Sequence, residues 1–154
     1  MEIEYLADHT DTIPILARWS YEEWAYLHPE RTISDVEQLM LERSNKNKIP
    51  LCLIAFENEK VVGMIALKDH DLESRPNLSP WLAGLYVEER HRKRGIGKAL
   101  VSAIEIVAAE LGVNRLYLYT PGQELFYLQL GWSITEHTEW NGHMVTVMEK
   151  EVGL

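Results

Sequence analysis

The stretch that most constrains the fold runs from Leu85 to Leu100, where an apolar segment enters a basic, glycine-punctuated turn and leaves it as a helix. Gly95 and Gly97 let the main chain approach a ligand with no Cβ in the way. The first free N–H groups of the following helix present a partial positive charge to an anion. Arg90, Arg92, Lys93, Arg94 and Lys98 place five of the chain's 15 Lys and Arg residues within this turn, although the whole chain carries a net charge of −9. Positive charge so localised predicts a small polyanion as partner. Its binding turn is Arg92, Lys93, Arg94, Gly95, Ile96, Gly97 and Lys98.

Two familiar phosphate loops fail on inspection. A dinucleotide fingerprint needs a third glycine where Leu100 stands and an acidic residue about twenty positions further on, where the chain has Arg115. A nucleoside triphosphate loop needs a glycine where Arg92 stands and a Ser or Thr where Ala99 stands. What remains is Arg92-x-x-Gly95-x-Gly97 between two regular elements. Trp81 to Val87 reads as a buried strand. Leu100, Val101, Ile104, Val107, Ala108 and Leu111 form an apolar helical stripe that Gly112 ends. A further strand, Leu116 to Tyr119, leads through Pro121-Gly122 into a short helical segment from Glu124 to Trp132.

The loop Arg92-x-x-Gly95-x-Gly97 resembles the acetyl-CoA pyrophosphate loop of the GNAT superfamily of N-acetyltransferases. Phe126-Tyr127 followed by Gly131-Trp132 resembles the F-Y-x-x-x-G-F element of the same family, and the two stand in family order and at family spacing.

The remaining pattern agrees with one domain over residues 1–154. A strand around Ile3 to Leu6 precedes a helix carrying Ile13, Leu16, Ala17 and Trp24, with Thr10 or Asp11 as its cap and Pro14 tolerated in its first turn. Thr32 or Ser34 caps a second helix carrying Val36, Leu39 and Met40. Leu51 to Phe56 and Val61 to Leu67 form a hairpin across Glu57-Asn58-Glu59-Lys60. A polar connection from Lys68 to Ser79 is long enough to suggest a functional use. Trp132 to Thr138 and Met144 to Met148 flank Asn141-Gly142, a strong hairpin turn signal. The sum is β-α-α-β-β-β-α-β-α-β-β, an α/β chain. The resemblance implies the GNAT fold: a mixed, mostly antiparallel sheet of six to seven strands flanked by four helices, with a splay between the strand before the pyrophosphate loop and the strand after its helix.

That splay leaves main-chain groups of Leu85, Tyr86 and Val87 free for the pantetheine arm of acetyl-CoA, the cosubstrate the resemblance implies. Thr120 stands where the family often has Asn and offers a hydroxyl to the same arm. Tyr127 occupies the position of the family's proton donor to the departing thiolate, and a main-chain N–H near Val87 is the expected polariser of the carbonyl. The family's usual glutamate base falls on Trp81. Asp71 is therefore the first candidate base, ahead of His70 and Glu73 beside it and of His137 and His143 at the last hairpin.

Acceptor recognition in the family falls to the first two helices and the C-terminal hairpin, which here hold Trp19, Tyr21, Glu22, Glu23, Trp24, Tyr26, His28 and Trp140. Aromatics with acidic neighbours suit a cationic amine, so a peptide N-terminus, a polyamine and an aminoglycoside are all open. The expected activity is direct N-acetyl transfer from acetyl-CoA to a primary amine. The alternative is a catalytically silent acyl-CoA sensor of the same fold. Family members often pair, which makes a homodimer one implied assembly.

The acidic balance argues against nucleic acid, which needs an extended positive surface. No apolar run reaches the roughly 18 residues of a membrane span, and the acidic start does not read as a signal peptide, so a cytoplasmic location is the default. Cys52, the one cysteine, lies in an apolar run and reads as a core residue. No cluster suggests a metal.

Overall fold

The alternation of side chains along the second strand shows how the molecule is layered. Leu51, Leu53 and Ala55 join one buried cluster with Leu100, Val101 and Ile104. Cys52 and Ile54 join another with Leu16, Ala17, Val36 and Met40 on the opposite face. A strand buried on both sides needs helices on both sides, and period-2 alternation sorts its residues between them.

The computed structural model describes residues 1–153. Its elements are β1 (Glu2–Tyr5), α1 (Ile13–Trp24), α2 (Ile33–Glu42), β2 (Leu51–Glu57), β3 (Lys60–Lys68), β4 (Trp81–Val87), α3 (Ile96–Glu110), β5 (Arg115–Thr120), α4 (Glu124–Gln129), β6 (Ser133–Trp140) and β7 (His143–Glu151). The seven strands form one sheet in the order β1-β2-β3-β4-β5-β7-β6. Every neighbouring pair is antiparallel except β4 and β5. The α/β architecture, strand number and four α-helices match the fold class the sequence predicts. Among the described residues no helix is long and apolar enough to cross a membrane, and no three ligating side chains are grouped to hold a metal.

Several boundaries differ from the sequence reading. The cap of α1 is Thr12, preceded by a 3₁₀ turn over Thr10–Thr12, and no side chain caps it. The Thr12 hydroxyl instead donates back to the His9 carbonyl at 2.7 Å. Thr32, not Ser34, caps α2, in a capping box with Asp35: the Asp35 N–H donates to Thr32 Oγ1 at 3.1 Å and the Thr32 N–H donates to Asp35 Oδ2 at 2.9 Å. The last two strands run further than their apolar cores suggest, because pairing carries their polar ends along. Asn141 (φ 48°) and Gly142 (φ 82°) make the two-residue turn between them.

The connection after β3 is not a free loop. Leu72, 1% exposed, is buried with Trp81 and Val147. Arg75 crosses to β6, where its Nε donates to Glu136 Oε2 at 2.9 Å. Two anchors hold Asp71 just before them in a defined place.

Candidate active site

The parallel pairing of β4 with β5 is confined to one end. The register has a single residue pair, Trp81 with Tyr117, beside an N–H of Tyr117 that donates to the Pro80 carbonyl at 3.1 Å. Beyond that point the strands part, while β4 stays paired with β3 as far as Val87 opposite Gly63. Part of the cause lies in β4 itself. Its register with β3 slips between Met64 and Ala66, so β4 spends an extra residue at Gly84 and Leu85, and Gly84 takes φ 62°. A bulge bends and twists a strand, and here it directs the second half of β4 away from β5. A glycine inside a strand run is the sequence signal for this bulge.

Into this opening comes the basic turn. Lys93 (φ 64°) and Gly95 (φ 85°) both adopt left-handed backbone, and Gly95 is the residue from which α3 starts. Alternation of this kind curls main-chain N–H groups into an anion-binding concavity, which the N-terminus of the 15-residue α3 completes. Arg92 ties the turn to the strand: its Nε donates to the Val87 carbonyl at 2.8 Å and its guanidinium lies 5.2 Å from the centre of the Tyr86 ring. The Val87 carbonyl is thus already engaged. Gly97 faces Phe126 and Val87, and a Cβ there would touch Phe126 at 3.5 Å.

The opening is one continuous cleft of about 750 Å³. Its lining includes Leu85, Tyr86, Val87, Arg92, Lys93, Gly95, Ile96, Gly97, Lys98, Thr120, Tyr127 and Asp71, so the structure brings together all but one of the site residues singled out from sequence. The exception is Arg94, which is exposed and does not line the cleft. Thr120 Oγ1 accepts the N–H of Gln123 at 3.0 Å, which leaves its own O–H free to donate. Tyr127 is 7% exposed. Burial alone pushes its phenol well above the ordinary range, so it stays protonated at every physiological pH.

Of the five candidate bases, only Asp71 reaches the cleft; His70, Glu73, His137 and His143 do not line it. His137 pairs with Thr146 Oγ1 at 3.0 Å, and His143 packs edge-on against Tyr26, 4.9 Å between ring centres. Asp71 Oδ1 accepts from Lys68 Nζ at 2.9 Å. Trp81, at the position of the absent glutamate, is fully buried and donates its Nε1 proton to the Leu78 carbonyl at 2.6 Å. Its ring holds the loop down instead of entering the cleft.

The acceptor end differs from the sequence reading. Trp19 and Trp24 pack against Tyr86 at 5.2 and 6.4 Å, and Trp19, Tyr21, Glu22 and Trp140 are absent from the cleft lining. The wall is formed by Glu23, Trp24, Tyr26 and His28 together with Arg31, Arg43, Lys68 and Asp71. Arg31, Arg43 and Lys68 were not anticipated, since they belong to three separate segments. Burial, helped by Arg31, holds His28 below its ordinary pKa, so it is neutral at neutral pH. Burial and Asp71 push Tyr119 far upward. The hairpin tip closes this end, with Asn141 Nδ2 donating to the Leu27 carbonyl at 2.6 Å. Cys52 is 1% exposed, and burial pushes its thiol up to about 11.

Comparison with known proteins follows the same lines. Residues 13–132 match the family model described as the acetyltransferase (GNAT) family. No curated protein matches the chain in sequence. Among solved structures, an aminoglycoside 6'-acetyltransferase type Ii superposes with a TM-score of 0.74 at 23% identity, covering 99% of this chain and 97% of that one. An aminoglycoside 6'-N-acetyltransferase complexed with coenzyme A gives 0.73 at 20% identity, covering 99% and 97%. A ribosomal-protein-alanine N-acetyltransferase from Brucella melitensis gives 0.75 at 16% identity, covering 98% and 99%.

Proposed function

The chain belongs to the acetyltransferase (GNAT) family, and from that premise we propose that it transfers an acetyl group from acetyl-CoA directly to a primary amine. The observation that carries this reading is the single cleft in which the splayed β4 edge, the left-handed basic turn and the Tyr127 phenol all meet. Acetyl-CoA supplies an activated thioester, whose acetyl carbon passes to the amine while the sulfur leaves as a thiol. The turn at Lys93 to Lys98 and the start of α3 hold the pyrophosphate by main-chain N–H groups and by nearby cations. The bent half of β4, Leu85 to Val87, orients the pantetheine arm as an added strand.

Asp71 receives the proton of the incoming ammonium. Its Oδ1 is held by Lys68, and the residue lines the cleft. Because His28 is neutral, it adds no repulsion toward that ammonium. On the cofactor side Tyr127 donates a hydrogen bond to the developing thiolate. The balance is two protons lost from the ammonium nitrogen, one to Asp71 before attack and on to solvent and one as the amide forms, against one gained by the departing sulfur through Tyr127. Asn for Asp71 should lower kcat without changing the affinity for acetyl-CoA.

The test is calorimetric titration with acetyl-CoA of the unaltered protein and of Gly95→Val. No neighbouring atom obstructs a Cβ at Gly95, so the variant acts through backbone strain at φ 85°, a cost of about 1–2 kcal/mol for a side-chain-bearing residue. Micromolar binding that the variant loses, with its circular dichroism unchanged, supports the reading; an unaltered protein that does not bind sinks it. Binding without turnover on any amine would favour the acyl-CoA sensor.

A further inference from the structure

The acceptor end of the cleft holds more positive charge than it neutralises. Arg31, Arg43 and Lys68 line it against Glu23 and Asp71. Asp71 pairs with Lys68 through Oδ1 at 2.9 Å, both side chains mostly buried, and acts on Arg43 only at longer range. Glu23 is exposed and acts on Tyr26 and Tyr86. Among the described residues neither Arg31 nor Arg43 has a carboxylate within ion-pair distance, and neither guanidinium donates a hydrogen bond to a protein atom. Both residues are half-buried. The other ionisable groups acting on Arg43 are the Cys52 thiol, protonated at neutral pH, Asp71, which Lys68 already engages, Arg31, and Glu42 on its own helix.

A half-buried guanidinium with no ion partner, facing a cleft, gains a charge-assisted, forked pair of hydrogen bonds when a carboxylate arrives. Position strengthens the point. Arg43 is the residue that ends α2, and its Nη1 lies 3.7 Å from where a Cβ on Gly84 would be. Gly84 is the bulge residue of β4, three positions before Val87, or roughly 10 Å along the strand at 3.3 Å per residue. A small acceptor spans that interval.

We infer that the acceptor is an amino acid or similar amine bearing a carboxylate, held by the forked guanidinium of Arg43 with Arg31 beside it, while its ammonium faces Asp71. This specifies the substrate class of the transfer proposed above and rests on that reading. Of the acceptors the sequence leaves open, it disfavours the polycationic ones: a polyamine would bring its second ammonium against Arg31 and Arg43.

The test compares kcat/KM for L-amino acids with that for their α-carboxamides, and for glutamate and aspartate with their side-chain amides, so that the two possible carboxylates are told apart. The acid should exceed the matching amide at least tenfold, and that ratio should collapse toward one in Arg43→Gln. Arg43→Lys, which keeps charge but not the fork, should fall between. Arg31→Gln supplies an independent variant if Arg43→Gln melts early. Equal use of acid and amide, or preference for diamines, overturns the inference. On the same samples, acetyl-CoA and N-acetyl-L-glutamate are titrated separately by calorimetry. Failure of acetyl-CoA alone to bind removes the transferase reading. Binding of acetyl-CoA with indifference to every carboxylate removes only this one.

Discussion

Two side chains in this protein owe their reactivity, or their lack of it, to where burial leaves them. Tyr127 is kept protonated, so it is available as a donor throughout the physiological range. Tyr127→Phe should reduce kcat roughly 100- to 10,000-fold while leaving the acetyl-CoA dissociation constant unaltered, as paired kinetics and calorimetry would show. Cys52 is the opposite case. With its thiol raised to about 11 and sealed in the core, almost no thiolate exists at pH 8, so iodoacetamide should label it only after unfolding; mass spectrometry that finds rapid labelling of the native protein would refute this. Tyr127 was legible in the sequence because its neighbours Phe126, Gly131 and Trp132 stand at a recognisable spacing. The absence of a glutamate at Trp81 was legible too. The use made of that position was not, because a tryptophan can face a cleft or a core, and only the contact with Leu78 and the packing against Tyr117 decide which.

At the scale of elements, the site depends on segments held at both ends. The loop after β3 is fastened by Leu72 below and by the Arg75–Glu136 pair above. Arg75 holds the Glu136 carboxyl below its ordinary range. A carboxyl whose folded pKa is depressed contributes fully above its ordinary value, about 4.3, and loses that contribution as pH falls through the lower folded value. The tether should therefore hold at neutral pH and slacken in acid. Hydrogen exchange in residues 69–79 checks this: Arg75→Ala should speed it at pH 7, and the difference from the unaltered protein should narrow on acidification below about 4. The sequence marked this connection as long and polar but could not reveal its anchor on β6, since Glu136 is remote in the chain. The bulge at Gly84 was similarly missed, although a glycine within a strand run was its available sign.

At the scale of the whole molecule, one sheet is buried on both faces and opened at one seam. Ile104, fully buried in the cluster that joins α3 to β2 and β3, carries both stability and the aim of the α3 N-terminus. Ile104→Ala should cost about 2–5 kcal/mol in a denaturant titration. Because the cleft is continuous from the basic turn to the Arg43 wall, both substrates are expected to be bound together. Initial-rate patterns should then intersect, and a parallel pattern with a trapped acetyl-enzyme would exclude direct transfer. What the sequence by itself determined was local: the strand, turn and helix around Gly95, the alternation that sorts β2 between two cores, the Asn141-Gly142 turn, and through them the family. These are set by backbone stereochemistry and hydrophobic periodicity over a few residues, which the chain carries without its fold. Only the tertiary structure decided the character of the acceptor wall, because charges combine by distance in space. Arg31, Arg43 and Lys68 stand apart in the chain and meet only when α2 and β3 pack beside the bent half of β4, whereas the acidic and aromatic residues clustered in α1 are turned partly into the core and partly to solvent.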